Sequence, residues 1–332
     1  MSIVIRKVPY YDSFRCIGGT CPDSCCKEWD VQVDPEAAAR YRLLPGELGD
    51  MLRSVLRDED GETLMQTENG RCPMWRDDGL CRIQAQLGEE ALCHTCREFP
   101  RLRHDYGDFR ELGLELACPE AAKLILSPHG GFVQQEHSGE ARADYDREAM
   151  DILLQSREEL RALLHDDAYS VQQRLALALM YAYHVQALLD GEDMDAFDRD
   201  ASLEQAMAFA TEGLAAAFID FFSGLEILSP RWAEQLSEPA GDMWRDEHIL
   251  LAEYFMDRYW LQAASDLDLV CRAKFMVISC LAVKLIGGDI LITAQRYSKE
   301  IENNMDNVEA ILDGAYTCPA FTDNRILGLL LN

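Results

Sequence analysis

The cysteines of this 332-residue chain are distributed very unevenly, and their distribution limits the possible folds more than any other feature. Nine of the twelve fall within the first 118 residues. Glycines and prolines lie between them, so tight turns can bring the thiols together. Clustered thiols form disulfides, bind zinc or hold an iron-sulfur cluster. The nine candidate metal ligands are Cys16, Cys21, Cys25, Cys26, Cys72, Cys81, Cys93, Cys96 and Cys118.

The cellular compartment separates these uses. Residues Met1 to Pro9 contain no apolar stretch of the length that a secretory signal needs. The longest apolar run, from Phe275 to Val283, is far shorter than the roughly 20 residues that cross a bilayer. We therefore expect a cytoplasmic protein, in whose reducing surroundings clustered thiols bind metal rather than form disulfides.

The overall charge makes two classes of partner improbable. The chain has 59 acidic and 31 basic side chains, which gives a formal net charge of −28. Such a surface repels nucleic-acid phosphates and anionic membranes. We expect neither nucleic acid nor membrane as a partner, whereas a cationic protein would be attracted.

A break in composition divides the chain. Pro128-His129-Gly130-Gly131 opens a polar stretch, which predicts a linker over 128–144. A cysteine-rich metal-binding domain with short helices and strands is predicted over 1–127, and an all-α domain over 145–332. The predicted fold class is therefore mainly α, with a small α+β domain at the N-terminus.

The local patterns differ between the two parts. Alternating apolar residues predict strands around 29–33 and 112–116, and Asp34-Pro35 predicts the capped start of a helix. Apolar residues at helical spacing predict helices over 148–164 and 251–259. A buried central helix is predicted over 267–286, ended by Gly287-Gly288, and one further helix over 289–313.

The cysteine spacings give more specific expectations. Neighbouring side chains diverge, so Cys25 and Cys26 are not expected to reach the same metal ion. Asp77-Asp78-Gly79 predicts a turn that places Cys72 and Cys81 across a hairpin.

Two further motifs concern single thiols. Cys93 and Cys96 have the Cys-x-x-Cys spacing of a zinc knuckle or cluster loop, which is also that of a redox dithiol. Cys118 precedes Pro119 at the predicted start of a helix, where free N–H groups favour the thiolate.

Taken in order, these motifs resemble the flagellin lysine-N-methylase family. The resemblance rests on the segments 14–29, 69–73, 78–81, 87–93, 96–101 and 117–122, and more weakly on 295–304. It implies transfer of methyl groups from S-adenosylmethionine to flagellin lysines, by a protein that carries a [4Fe-4S] cluster. Zinc is the alternative metal, because the shorter cysteine pattern is shared with small zinc- or iron-chelating domains.

The sequence does not locate the methyl-donor site. It has neither the glycine-rich loop of doubly wound nucleotide-binding sheets nor the Cys-x3-Cys-x2-Cys triplet of radical enzymes. We expect the donor to bind where the two domains meet. Two other functions stay open, namely a metal-stabilised adaptor for a cationic protein and a redox protein that uses Cys93 and Cys96.

Overall fold

The protein is described by a computed structural model that covers residues 2–59, 61–138, 143 and 145–332. Within these residues it has fifteen α-helices and seven β-strands, so the predicted mainly-α class is confirmed. The helices are α1 (Pro35–Leu43), α2 (Gly46–Val55), α3 (Arg82–Leu87), α4 (His94–Glu98), α5 (Pro119–Ile125), α6 (Arg147–Leu164), α7 (Val171–Leu189), α8 (Arg199–Phe209), α9 (Ala215–Ser223), α10 (Pro230–Ser237), α11 (Glu247–Tyr259), α12 (Leu269–Ile286), α13 (Ile290–Ile301), α14 (Met305–Thr317) and α15 (Asp323–Leu331). The strands are β1 (Ser2–Lys7), β2 (Val31–Gln32), β3 (Leu56–Glu59), β4 (Glu62–Met65), β5 (Arg101–Asp105), β6 (Phe109–Leu114) and β7 (Val133–Ser138).

The strands form two small sheets near the N-terminus. The larger has the order β5-β6-β1-β7, in which β1 runs parallel to β6 and antiparallel to β7. The smaller has the order β2-β4-β3, with Met65 of β4 paired to both Val31 and Leu56. Both predicted strands therefore exist, although β2 has only two residues.

The predicted linker contains a strand. Within 128–144, β7 pairs with β1 along its length, from Lys7 opposite Val133 to Ser2 opposite Ser138. Residues 139–142 and 144 lie outside the described residues. The division into domains at 1–127 and 145–332 stays a prediction.

Hydrophobic side chains form two cores. The smaller surrounds Tyr41, Leu52 and Met74 and belongs to the segment that carries most of the cysteines. The larger fills the helical bundle and also takes in Phe109 and Ile125, so β6 and α5 pack on the bundle.

Most of the predicted helices are present. Asp34 caps α1 by accepting a hydrogen bond from the Ala37 N–H at 2.9 Å. α12 is buried almost all round, and Gly287 ends it with a φ of 74°. A side chain at Gly287 would also collide with the Gly241 backbone, because a Cβ there would lie 2.3 Å from the Gly241 oxygen.

The single helix predicted over 289–313 is wrong, because it is interrupted between α13 and α14. Asn304 caps α14 by accepting from the Asn307 N–H at 3.3 Å. The Asn307 side chain in turn donates to the Glu300 carbonyl at 2.9 Å, which satisfies the end of α13. In the part of the chain that the structure describes, no helix is both long and apolar enough to cross a membrane.

Candidate metal centre

Backbone pairing brings the first cysteine segment to the second. The Cys72 N–H donates to the Cys26 carbonyl at 2.9 Å, and the Glu28 N–H donates to the Gly70 carbonyl at 3.0 Å. The turn predicted after Cys72 is present, since the Gly79 N–H donates to the Arg76 carbonyl at 3.0 Å. Cys26 and Cys72 are thus held side by side.

Two glycines allow a second close approach between these segments. A Cβ on Gly19 would lie 2.5 Å from the Asp78 oxygen, and one on Gly79 would lie 2.7 Å from the Gly19 Cα. Only glycine fits where two backbones come this close. The loop between Cys16 and Cys21 therefore rests directly on the turn that precedes Cys81.

The third cysteine pair is tied to the start of α1. The second carboxylate oxygen of Asp34 accepts from the His94 N–H at 2.7 Å. The Thr95 hydroxyl donates to the Gln32 carbonyl at 2.9 Å. These bonds position α4, which carries Cys96 and is preceded by Cys93.

All twelve cysteines lie in described residues, and each is a free thiol. Their electrostatic influence on one another identifies a first group, which consists of Cys26, Cys72, Cys81, Cys93 and Cys96.

Interactions between the thiols shift the pKa values of individual members of this first group. The neighbouring Cys25 and Cys72 thiols lower the pKa of Cys26 to about 3. The Cys96 side chain likewise lowers the pKa of Cys93 to about 7. Cys26 and Cys93 are therefore the members of this group whose thiols ionise most readily, and the thiolate is the form that binds metal.

The second group consists of Cys16, Cys21 and Cys118. Burial raises the pKa of Cys118 to about 11, and negative charge on Cys21 and Cys16 adds to the effect. The thiolate expected for Cys118 from its place at a helix start is thus wrong for the free thiol. Two N–H groups of α5 do lower its pKa, but removal from water outweighs them.

Cys25 lies between the two groups. Its pKa is raised mainly by Cys26 and further by Cys16 and Cys118. Cys26 interacts first with Cys25 and then with Cys72. The two groups are therefore neighbours rather than separate sites. The expectation that the adjacent thiols do not reach the same metal ion stays a prediction.

Thiols are the donors of this candidate site. Among the described residues, no three His, Cys, Asp or Glu side chains converge as ligands of one metal ion. An iron-sulfur cluster takes its thiolates on different irons, so its ligands need not converge on one point. Eight of the nine clustered thiols fall in the two groups, and Cys25 lies between them.

The loop that carries Cys25 and Cys26 contacts the helical bundle through a lysine that no sequence pattern indicates. The Lys299 ammonium of α13 lies 3.0 Å from an Asp23 carboxylate oxygen and 2.9 Å from a Glu28 carboxylate oxygen. It also lies 4.9 Å from the centre of the Trp29 ring. Asp23 and Glu28 flank Cys25 and Cys26 in the sequence, so the two ion pairs attach α13 to the loop that carries these thiols. Because Lys299 follows Glu28 by more than 270 positions, no local pattern could have indicated it.

Two histidines near the cysteine motifs and two cysteines outside them differ in their exposure. His94 is exposed, whereas His104 is half-buried with its Nε2 atom unpartnered among the described residues. Cys271 and Cys280 are buried in α12. The aromatic residues Tyr297 and Trp260 are core residues of the bundle.

Comparison with known proteins finds relatives among flagellar proteins and lysine-N-methylases. The chain is 33% identical over 135 residues to the flagellar biosynthetic protein FliU of Salmonella muenchen, a match that covers 38% of this chain and 78% of that protein. It is also 33% identical over 135 residues to the lysine-N-methylases of Salmonella typhimurium and Salmonella choleraesuis. The match covers 33% of each of these, so it spans about a third of their length. No family model and no solved structure matches the chain.

Proposed function

Because the chain belongs to the flagellin lysine-N-methylase family, we propose that it is a protein-lysine methyltransferase. The methyl donor is S-adenosylmethionine, and the substrates are lysine side chains of flagellin. The observation that carries this proposal is the match to proteins named as lysine-N-methylases. A net charge of −28 also favours a lysine-bearing partner.

The reaction requires an uncharged amine. A lysine with its ordinary pKa near 10.4 must lose a proton before its nitrogen attacks the sulfonium methyl group. A buried approach and a nearby acceptor group promote that loss. We propose that these groups lie where the cysteine segments meet the helical bundle, since junctions of this kind often bind ligands.

The cofactor proposal concerns the thiols. We propose that four of the nine clustered cysteines hold a [4Fe-4S] cluster, with zinc as the alternative metal. The first group, Cys26 with Cys72, Cys81, Cys93 and Cys96, contains enough thiols for the four ligands of one cluster. Such a cluster supplies Lewis-acidic iron that keeps its ligands deprotonated and ties the segments together. A reducing cytoplasm, which keeps the thiols free, is the proposed location.

Anaerobic purification followed by iron, zinc and sulfide analysis tests the cofactor. We expect about four irons and four sulfides per chain, with visible absorbance that is lost in air. Cys26→Ser should lose most of the iron, whereas Cys318→Ser, which changes a cysteine outside both groups, should keep it. Zinc without sulfide would contradict the cluster and favour a metal-stabilised adaptor for a cationic protein.

A transfer assay tests the activity independently. The purified chain, labelled S-adenosylmethionine and flagellin should yield label on lysine side chains. Flagellin whose lysines have been chemically blocked is the matched control. Failure of the metal-loaded chain to label unblocked flagellin would refute the methyltransferase proposal.

A further inference from the structure

Lys299 is a charged side chain in a place where charge is costly. It is 1% exposed, and its two carboxylate partners, Asp23 and Glu28, come from the cysteine-bearing loop. A buried ammonium is tolerated only when it is paired in this way. The contact therefore has a fixed geometry.

A second residue of α13 reinforces the contact. The Gln295 side-chain amide donates to the other Asp23 carboxylate oxygen at 2.9 Å and to the Ala117 carbonyl at 2.7 Å. Ala117 directly precedes Cys118. One helix thus holds both the loop with Cys21, Cys25 and Cys26 and the segment with Cys118.

The loop needs such external support. Glu28 has a φ of 75°, in the left-handed region that non-glycine residues seldom adopt. Strained backbone of this kind persists only where surrounding contacts enforce it. The Lys299 ion pair is one contact that holds Glu28 in place.

We propose that Lys299, assisted by Gln295, is a positioning residue for the cysteine centre. It contributes no metal ligand, but it fixes the Asp23–Glu28 loop and so sets the position of the Cys25 and Cys26 sulfurs. The inference rests on the proposed metal centre. Groups that orient ligands in this manner typically change metal affinity 10- to 100-fold when they are removed.

Cobalt titration of the reduced, metal-free full chain tests this role. Co²⁺ bound to thiolates gives a sulfur-to-metal absorption band whose intensity and position report the ligand arrangement. We expect Lys299→Met to weaken Co²⁺ binding about tenfold or more and to shift the band. Asp23→Asn, which removes a partner without changing α13, should act in the same direction.

A second buried lysine provides the matched control. Lys274 of α12 is 3% exposed and lies 3.1 Å from an Asp323 carboxylate oxygen, without contact to the cysteine loop. Lys274→Met should lower stability to a similar degree and leave the cobalt band and affinity unchanged.

The outcomes separate the two proposals. If the wild-type chain shows no thiolate-to-cobalt band and takes up no iron and sulfide on anaerobic reconstitution, the metal centre is refuted, and the positioning role with it. If it takes up iron and sulfide but no Co²⁺, the iron retained per chain becomes the readout for the same three variants. If wild type binds Co²⁺ but Lys299→Met binds it equally well, or Lys274→Met weakens it equally, only the positioning role is refuted. Should circular dichroism show that Lys299→Met has lost its helices, the result for Asp23→Asn decides.

Discussion

Cys25 and Cys26 are neighbours in the sequence, yet their pKa values are shifted in opposite directions. The pKa of Cys26 is lowered because thiols donate hydrogen bonds to its sulfur, whereas that of Cys25 is raised because its proton is shared with Cys26. Residue type alone would give both thiols the same pKa. At this scale the immediate neighbours determine the chemistry, and they come both from adjacent residues and from the distant Cys72.

The buried His248 allows a test of how burial shifts the pKa of a single residue. It is 1% exposed, and burial lowers its pKa below the ordinary value near 6.5. The unfolded chain therefore takes up a proton at this site at higher pH than the folded chain does. Stability should fall as the pH drops below about 6.5, through the lowered pKa of His248.

Histidine resonances followed by NMR across this range should show one pKa below 6.5 that disappears in His248→Asn. The Asn side chain can still accept a hydrogen bond from the Arg245 N–H, which the His248 Nδ1 atom accepts at 3.1 Å. His248→Asn should also remove part of the loss of stability at low pH. A His248 pKa at or above 6.5 would contradict the argument.

At the scale of elements, capping residues decide where helices begin and end. Asp34 and Asn304 each cap a helix, and both lie at sequence positions typical of caps. Pro35 marks Asp34 as a cap in the sequence, whereas Asn304 lies within a longer apolar pattern that predicts one continuous helix. Asn304 is a residue type that favours a helix start, but the apolar periodicity around it indicates an uninterrupted helix.

Asp34 accepts a second hydrogen bond besides that of an ordinary helix cap. Its replacement should therefore lower the free energy of unfolding more than the loss of a simple cap does. Its two oxygens accept from Ala37 and from His94, so it caps α1 and also holds the start of α4. Asp34→Ala should lower the free energy of unfolding by about 2 kcal/mol, near the upper end for a cap. Urea denaturation measures the change.

Asp198 is the matched control, since it caps α8 through a single bond to the Ala201 N–H at 3.0 Å. Asp198→Ala should cost about 1 kcal/mol. Equal costs for the two substitutions would show that the bond to His94 contributes nothing.

At the scale of the whole molecule, buried ion pairs join the sheet to the bundle. Arg157 of α6 donates two hydrogen bonds to Glu111 of β6, at 2.8 and 2.6 Å, and each side chain is 2% exposed. Arg161, also of α6, pairs with Asp257 of α11 at 2.5 Å. The Arg157 pair, together with Lys299, fixes the N-terminal elements against the helices, whereas the Arg161 pair joins two helices of the bundle.

Breaking the Glu111 pair should be costly. Arg157→Leu should lower the free energy of unfolding by about 3 to 5 kcal/mol, because it leaves the Glu111 carboxylate buried with only the more distant Arg6 guanidinium, at 3.7 Å. Replacing both residues by leucine should cost less than the sum of the single changes. A double-mutant cycle in urea measures this coupling, and additive costs would contradict it.

The sequence alone determined the features that depend on near neighbours. Turn residues and thiol spacing indicated where the candidate ligands lie, and helical periodicity located α6, α11 and α12. The cap at Asp34 also follows from adjacent residues. These rules act over a few positions, so they can be read without knowing the fold.

Only the tertiary structure decided which distant residues meet. It placed Cys26 beside Cys72, paired β7 with β1 inside the predicted linker, and brought Lys299 to Asp23. No local propensity encodes such pairs, because they form only when buried surfaces from separate segments pack together. The thiols are therefore identifiable from the sequence, whereas their grouping and their support by α13 come from the fold.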